Sequence, residues 1–246
     1  MRDQPEQQAP PVQRLRIRYA KRGRLRFTSH RDFSRAFERA LVRAGVPMAY
    51  SSGFNPHPRI SYGGAAPTGS ASEAEYLEIG LREEVDPTEV ARRLDEALPP
   101  GLDVLDVVES SGGALADRLE ASVWRIHRLE ADRSALEEAV AAFLARDEVV
   151  VERMTKKGVR GFDARHAVVT LRVADITDND DRCAILEVVL RHGSPSVRPD
   201  DVLAGIREAS GLHAGSAALF ERLAQGPLDE GTGTVGDPLA PDRDAV

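Results

Sequence analysis

Residues 25–59 read LRFTSHRDFSRAFERALVRAGVPMAYSSGFNPHPR. The stretch encloses a helix whose two ends are both marked. Ser29, followed three residues later by Asp32, has the form of a capping box with Asp where Glu or Gln is usual. Phe33, Ala36, Phe37, Ala40 and Leu41 repeat at helical spacing and predict one apolar face. Gly45 and then Pro47 end the helix. Ahead of it, Arg14–Lys21 (RLRIRYAK) alternates basic residues with Leu15, Ile17 and Tyr19, the period of a strand with an apolar face and an arginine face. Gly23 permits a turn, and residues 25–27 can extend or pair with that strand.

Outward from this helix the pattern continues. Residues 59–65 and 75–82 read as strands, joined by the turn-rich PTGSAS. Asp86-Pro87 opens a second helix with Asp as N-cap and Pro at its first position. Val90, Leu94, Ala97 and Leu98 form its apolar stripe, and residues 102–108 make another strand. The order β-α-β-β-α-β is the split-βαβ or ferredoxin-like arrangement. After Ser110–Gly113 the theme recurs: a strand at 122–129, an amphipathic helix at 132–145, strands at 149–155, 167–174 and 184–190, and a helix opened by Pro199 and closed by Gly211. The fold expected is α+β, two ferredoxin-like (βαββαβ-type) domains in tandem, the second modified. They span residues 13–110 and 122–224, with a linker at 111–121. Residues 1–12 and an acidic Gly/Pro/Asp-rich tail at 225–246 are predicted to be disordered.

Composition narrows the function. The 246 residues carry 33 Lys/Arg and 40 Asp/Glu, for a net charge of −7. Between Arg14 and Arg59 there are 12 basic residues against Asp32 and Glu38, leaving 21 basic and 38 acidic elsewhere. A local excess of this size is the electrostatic footprint of a polyanion partner, or else a basic face that pairs with acids of the same chain. Cys183 is the sole cysteine, which excludes an internal disulfide, an iron–sulfur cluster and a zinc knuckle. It stands in an apolar run and reads as a small buried hydrophobe. No metal and no cofactor is expected. No apolar run reaches a membrane span and the first residues lack a signal-peptide core, so a cytoplasmic protein without membrane contact is expected.

Arg31, Arg35, Arg39 and Arg43 are four apart and drift about 40° each, so they make one slanting stripe on the first helix. Guanidinium forks suit phosphate oxygens, and with Arg24 and Arg59 these residues are candidate backbone contacts. Gly53-Phe54-Asn55-Pro56-His57-Pro58 is a loop stiffened by two prolines. Phe54 can stack on a base and Asn55 can bond one, or Phe54 plugs the core. His30, at the first helical position, and His57 are candidate acid–base residues for metal-independent RNA cleavage. In the second half, Lys156, Lys157, Arg160 and Arg165 form a second basic loop.

Several of these blocks carry a family resemblance. Residues 27–32 (FTSHRD), Arg39-Ala40 with Arg43-Ala44-Gly45, residues 50–58 (YSSGFNPHP) and residues 73–76 (EAEY) resemble the radical-SAM-linked protein family, a domain of unknown function found alone or fused behind a radical-SAM domain. The likeness runs from Arg14 to about Arg207, with residues 156–165 and 194–199 similar to later family blocks. It implies a role in RNA or ribosome maturation, because members lie near genes for radical-SAM proteins, E/G-type ribonucleases or ribosomal proteins. The chain lacks the three clustered cysteines of a radical-SAM enzyme, so any such chemistry belongs to a partner. At fold level the first half also resembles the CRISPR repeat-processing endoribonucleases, which bind RNA with ferredoxin-like repeats. Three functions stay open: an RNA-binding accessory protein working with a radical-SAM protein or ribonuclease, a metal-independent endoribonuclease using His30 and His57, and a protein adaptor with a basic docking face.

Overall fold

The computed structural model describes residues 7–155, 158–174 and 184–245. They form a mixed α/β structure of two compact units. One comprises the chain up to Arg118 together with the residues from Pro238 onward, and the other spans Leu119–Asp237.

The first unit contains β1 (Gln13–Lys21), α1 (His30–Arg43), β2 (Ile60–Tyr62), β3 (Ala71–Leu81), α2 (Pro87–Ala97) and β4 (Val104–Glu109). Its strands lie in the order β4-β1-β3-β2, and each neighbouring pair is antiparallel. Both helix starts follow their sequence signals. The Ser29 hydroxyl accepts the Asp32 N–H, and the Asp86 carboxylate accepts the Thr88 N–H at 2.9 Å. Gly23, with φ of 53°, turns the chain into a short 3-10 segment at Gly23–Phe27 instead of a strand extension. Leu15, Ile17 and Tyr19 of β1 join Leu77, Ile79 and Leu81 of β3 in one core with Phe33, Phe37 and Leu41 of α1 and Val90 and Leu94 of α2. The Tyr19 and Phe33 rings stack at 4.5 Å.

The arginine face of β1 is covered at its centre. Arg16 is fully buried (0% exposed). Its Nε donates to Glu78 at 3.0 Å, and its Nη1 reaches both carboxylate oxygens of Asp242 at 2.8 and 3.0 Å. Its Nη2 donates to the carbonyls of Gly112 and Gly113 at 2.9 and 2.6 Å. Five bonds meet the five donors of the guanidinium. Asp242, also 0% exposed, accepts in addition from the Ser111 N–H, the Ser111 hydroxyl and Arg118.

This cluster corrects two sequence expectations. The segment 111–121 is not a free linker: Ser111–Gly113 wraps Arg16, a 3-10 turn follows at Leu115–Arg118, and a strand begins at Ala121. The residues beyond 225 are not a disordered tail. They form β11 (Leu228–Asp229), β12 (Thr234–Val235) and α5 (Ala240–Arg243), and α5 places Asp242 against Arg16. A buried, doubly bonded carboxylate outweighs the local lack of apolar residues. Near the N-terminus, residues 7–12 run along the first unit, where the Val12 N–H donates to Leu81 at 2.8 Å.

The second unit contains β5 (Ala121–Leu129), α3 (Arg133–Leu144), β6 (Val150–Thr155), β7 (Gly158–Asp163), β8 (Val168–Ala174), β9 (Ala184–Arg191), α4 (Pro199–Ser210) and β10 (Leu219–Gly226). Four strands lie in the order β10-β5-β9-β8, all antiparallel, while β6 and β7 pair as a separate ribbon. With the ribbon set aside, element order and strand order repeat those of the first unit. The expected basic loop after residue 155 is thus half strand: β7 returns along β6, and Gly158 at φ of 108° makes the reversal. Cys183, Lys156 and Lys157 lie outside the described residues.

Burial works to raise the Asp242 pKa, but the bonds from Ser111, Arg16 and Arg118 prevail and hold the carboxyl below its ordinary 3.8. A depressed carboxyl stabilises the fold above its unfolded pKa, and that stabilisation is lost as pH falls through the folded value. Asp242→Ala strands Arg16 and is expected to cost about 3–5 kcal/mol of unfolding free energy near neutral pH. Denaturant titrations should also show less acid sensitivity below about pH 4 than in the parent. Unchanged stability at neutral pH would refute the role given to this pair.

Candidate nucleic-acid interface

The structure divides the 12 cations of the basic block into two groups. Those on and just after β1 are bonded from within. Arg14 pairs with Glu78 at 3.0 Å, Arg16 with Glu78 and Asp242, and Arg22 with Glu73 and Asp103. Arg18 donates to the Glu73 carbonyl at 2.8 Å and Lys21 to the Ala66 carbonyl at 3.2 Å. The acidic partners of Arg22 drive its pKa upward. Arg24, Arg31, Arg35 and Arg39, by contrast, are exposed and make no hydrogen bond or ion pair among the described residues. Pairing with acids of the same chain thus accounts for Arg14, Arg16 and Arg22, and not for the α1 arginines.

Helix geometry explains the split. Phe33, Phe37, Ala40 and Leu41 are the buried residues of α1, which turns Arg35 directly outward and sets Arg31 and Arg39 on its flanks. Arg31 and Arg39 stand about 12 Å apart along the axis. The drift of the stripe carries Arg43 round to α2, where its Nη1 donates to the Ala97 carbonyl at 3.0 Å. Arg43 therefore completes the C-terminal end of α2 and is not a free phosphate contact.

Arg59 is also structural. Its Nε donates to the Tyr50 carbonyl at 3.1 Å, and its N–H donates to the Ala49 carbonyl at 2.9 Å. Around it the chain forms a hairpin that leaves the β3 edge at Ala49 and returns at Arg59, both bonded to Gly80. A Cβ at Gly80 would come within 2.7 Å of Pro11 and 3.3 Å of Arg59, so glycine permits this crossing. Tyr50 and Pro58 bridge the neck, the Ser51 N–H donates to the His57 carbonyl, and the His57 N–H donates to the Ser51 hydroxyl. The loop is held stiff and presents its side chains outward. Phe54 is 68% exposed, Tyr50 is 41% exposed, and Asn55 and His57 are exposed. Phe54 does not plug the core, and an exposed Phe forgoes roughly 1.5–3 kcal/mol of burial.

His30 and His57 lie on different elements. His30 opens α1 and rests edge-on against the Tyr62 ring at 4.7 Å, where burial pushes the Tyr62 phenol up. His57 stands on the hairpin, where its N–H donates to the Ser51 hydroxyl. Among the described residues no three His, Cys, Asp or Glu side chains gather as metal ligands, and no helix is long and apolar enough to cross a membrane.

Phe27 was not legible as a site residue. It precedes the α1 cap and is 60% exposed, with the Arg26 guanidinium over its ring at 4.5 Å. The sequence signal is an aromatic directly after Arg26, and residues 25–27 turn instead of extending as a strand. In the second unit Arg160 is exposed on β7, but Arg165 folds back on the Val168 carbonyl at 3.1 Å.

Residues 14–199 match the model of a family described as an uncharacterized protein conserved in bacteria (DUF2344), and the chain belongs to that family. No curated protein matches it. Among solved structures it is similar to a chain in the crystal structure of a Cbf5-Nop10-Gar1 complex, at 10% identity and a TM-score of 0.46. That alignment covers 86% of this chain and 48% of the other, so this chain spans about half the length of that protein. An unknown protein from Galdieria sulphuraria aligns at 12% identity with a TM-score of 0.26, over 85% of this chain and 98% of that one. At these values neither likeness carries a functional inference.

Arg59→Ala removes the side-chain bond at the hairpin neck. Faster amide exchange at Ser51 and His57 is expected, with a stability loss of about 0.5–1.5 kcal/mol. Unchanged exchange at both amides would mean that the neck is held without Arg59.

Proposed function

We propose that this protein is an RNA-binding accessory factor whose contact surface is the outer face of α1. The observation that carries the reading is the set of unpaired cations, Arg24, Arg31, Arg35 and Arg39, in a block where Arg14, Arg16, Arg22, Arg43 and Arg59 are tied up internally. Three guanidinium groups along one exposed helix face, with Arg24 in the 3-10 segment before it, suit successive phosphates, and each would release counterions on binding. Phe54, Asn55 and His57 on the stiff hairpin add base-directed groups to the same unit. Arg160 on the β6–β7 ribbon is a secondary contact.

The repeated strand order fourth-first-third-second supports reading both units as ferredoxin-like, the second modified by the inserted ribbon. The resemblance to the radical-SAM-linked family supports a working partner, a radical-SAM protein or an E/G-type ribonuclease, in RNA or ribosome maturation within the cytoplasm. On this reading the chain presents RNA and leaves the chemistry to the partner.

Charge reversal tests the surface. Arg35→Glu with Arg39→Glu is expected to weaken RNA binding more than about tenfold and to flatten the dependence of log affinity on log salt by about 1.4, two contacts at about 0.7 each. Arg207→Glu on α4 is the control and should leave both quantities nearly unchanged. Equal affinity and slope in the double variant would sink the proposal.

A further inference from the structure

We infer that the RNA taken by this face is single-stranded, with unpaired bases stacked on Phe27 and Phe54. This rests on the RNA-binding reading and narrows its ligand. Three aromatic rings of the first unit stand in solvent: Phe27 at 60%, Tyr50 at 41% and Phe54 at 68% exposed. They flank α1 in sequence and in space. Phe27 precedes the helix cap, beside Gly69 and the start of β3, while Tyr50 and Phe54 stand on the hairpin that leaves β3 near its other end, at Gly80. β3 residues 72 and 80 mark these two ends, about 26 Å apart along the strand. Arg31, Arg35 and Arg39 lie on the helix between them.

The rings are presented rather than merely left over. Arg26 lies across one face of Phe27, and Arg24 beside it is free. The Phe54 loop is braced at its neck by Arg59, Ser51 and the Tyr50–Pro58 bridge, so little ordering is left to do on binding. A duplex hides its base faces in the stack and offers only backbone and groove edges, which an exposed Phe cannot use. An unpaired strand offers both phosphates and base faces, and every base has a face to stack on. Aromatic stations at either end of a cation track therefore match a single strand, without demanding a sequence.

The test is fluorescence anisotropy on the full chain, with a mixed-sequence RNA of about 10 nucleotides, free or annealed to its complement. The single strand is expected to bind at least about tenfold tighter than the duplex, since stacking contributes only there. Phe27→Ala and Phe54→Ala should each weaken single-strand binding about 5- to 100-fold, with the salt slope unchanged and duplex binding unaffected. Phe54→Trp should restore binding. Circular dichroism melts check folding, and both sites are exposed enough for the melts to match the parent. If single strand and duplex bind alike and the Phe variants behave as parent, while the Arg35/Arg39 variant is weakened, this inference fails and the RNA-binding proposal stands. If neither RNA binds, both fall.

Discussion

One guanidinium fixes the first unit. Arg16 sits at the centre of β1 with no exposed surface, and three segments of chain meet on it: β3 through Glu78, residues 112–113 through their carbonyls, and α5 through Asp242. A buried charge that loses a partner is expensive, whereas a fully bonded one holds its neighbours in a single arrangement. Asp242 stands 226 residues from Arg16, so the unit is complete only when the end of the described chain returns to it. That dependence explains why Leu239 and Asp242 are buried in a stretch whose composition is that of a solvated tail.

The same pair sets the electrostatics of the surface. Charge counted along the sequence put ten excess positive charges between Arg14 and Arg59. Folding pairs Arg14, Arg16 and Arg22 with Glu78, Asp242, Glu73 and Asp103, where their charge is cancelled at short range. The α1 group and Arg24 keep their charge without an acidic partner among the described residues. A period of 2 on a strand and a period of 4 on a helix gave two arginine stripes of similar appearance, but one faces a covering layer and the other faces solvent.

The elements with local signals were legible. The Ser29 and Asp86 caps, the stop at Gly45, and the apolar stripes of α1 and α2 all follow from neighbours a few residues apart. The features that were missed depend on distant partners. Nothing near Asp242 announces Arg16, and nothing in Ser110–Gly113 distinguishes a linker from a wrap around a guanidinium. Arg43 and Arg59 looked like members of a binding surface because their types fit, yet each is used to hold backbone carbonyls, at Ala97 and Tyr50. β7 was hidden because its glycines and charges read as a loop, while its pairing with β6 needs a tight reversal and a single buried ring, Phe162. For the site, residue type and spacing identified the α1 stripe and the exposed hairpin, but not which arginines were free.

Arginine reactivity measures that division directly. Brief treatment of the folded chain with an arginine-selective dicarbonyl, followed by peptide mass spectrometry, would rank every guanidinium by accessibility. Fast modification is expected at Arg24, Arg31, Arg35 and Arg39, with slow modification at Arg16 and Arg18, and single-stranded RNA should protect the first group and Arg160. Fast modification of Arg16, or RNA protection that ignores the α1 arginines, would contradict the separation of structural from binding cations on which this view of the protein stands.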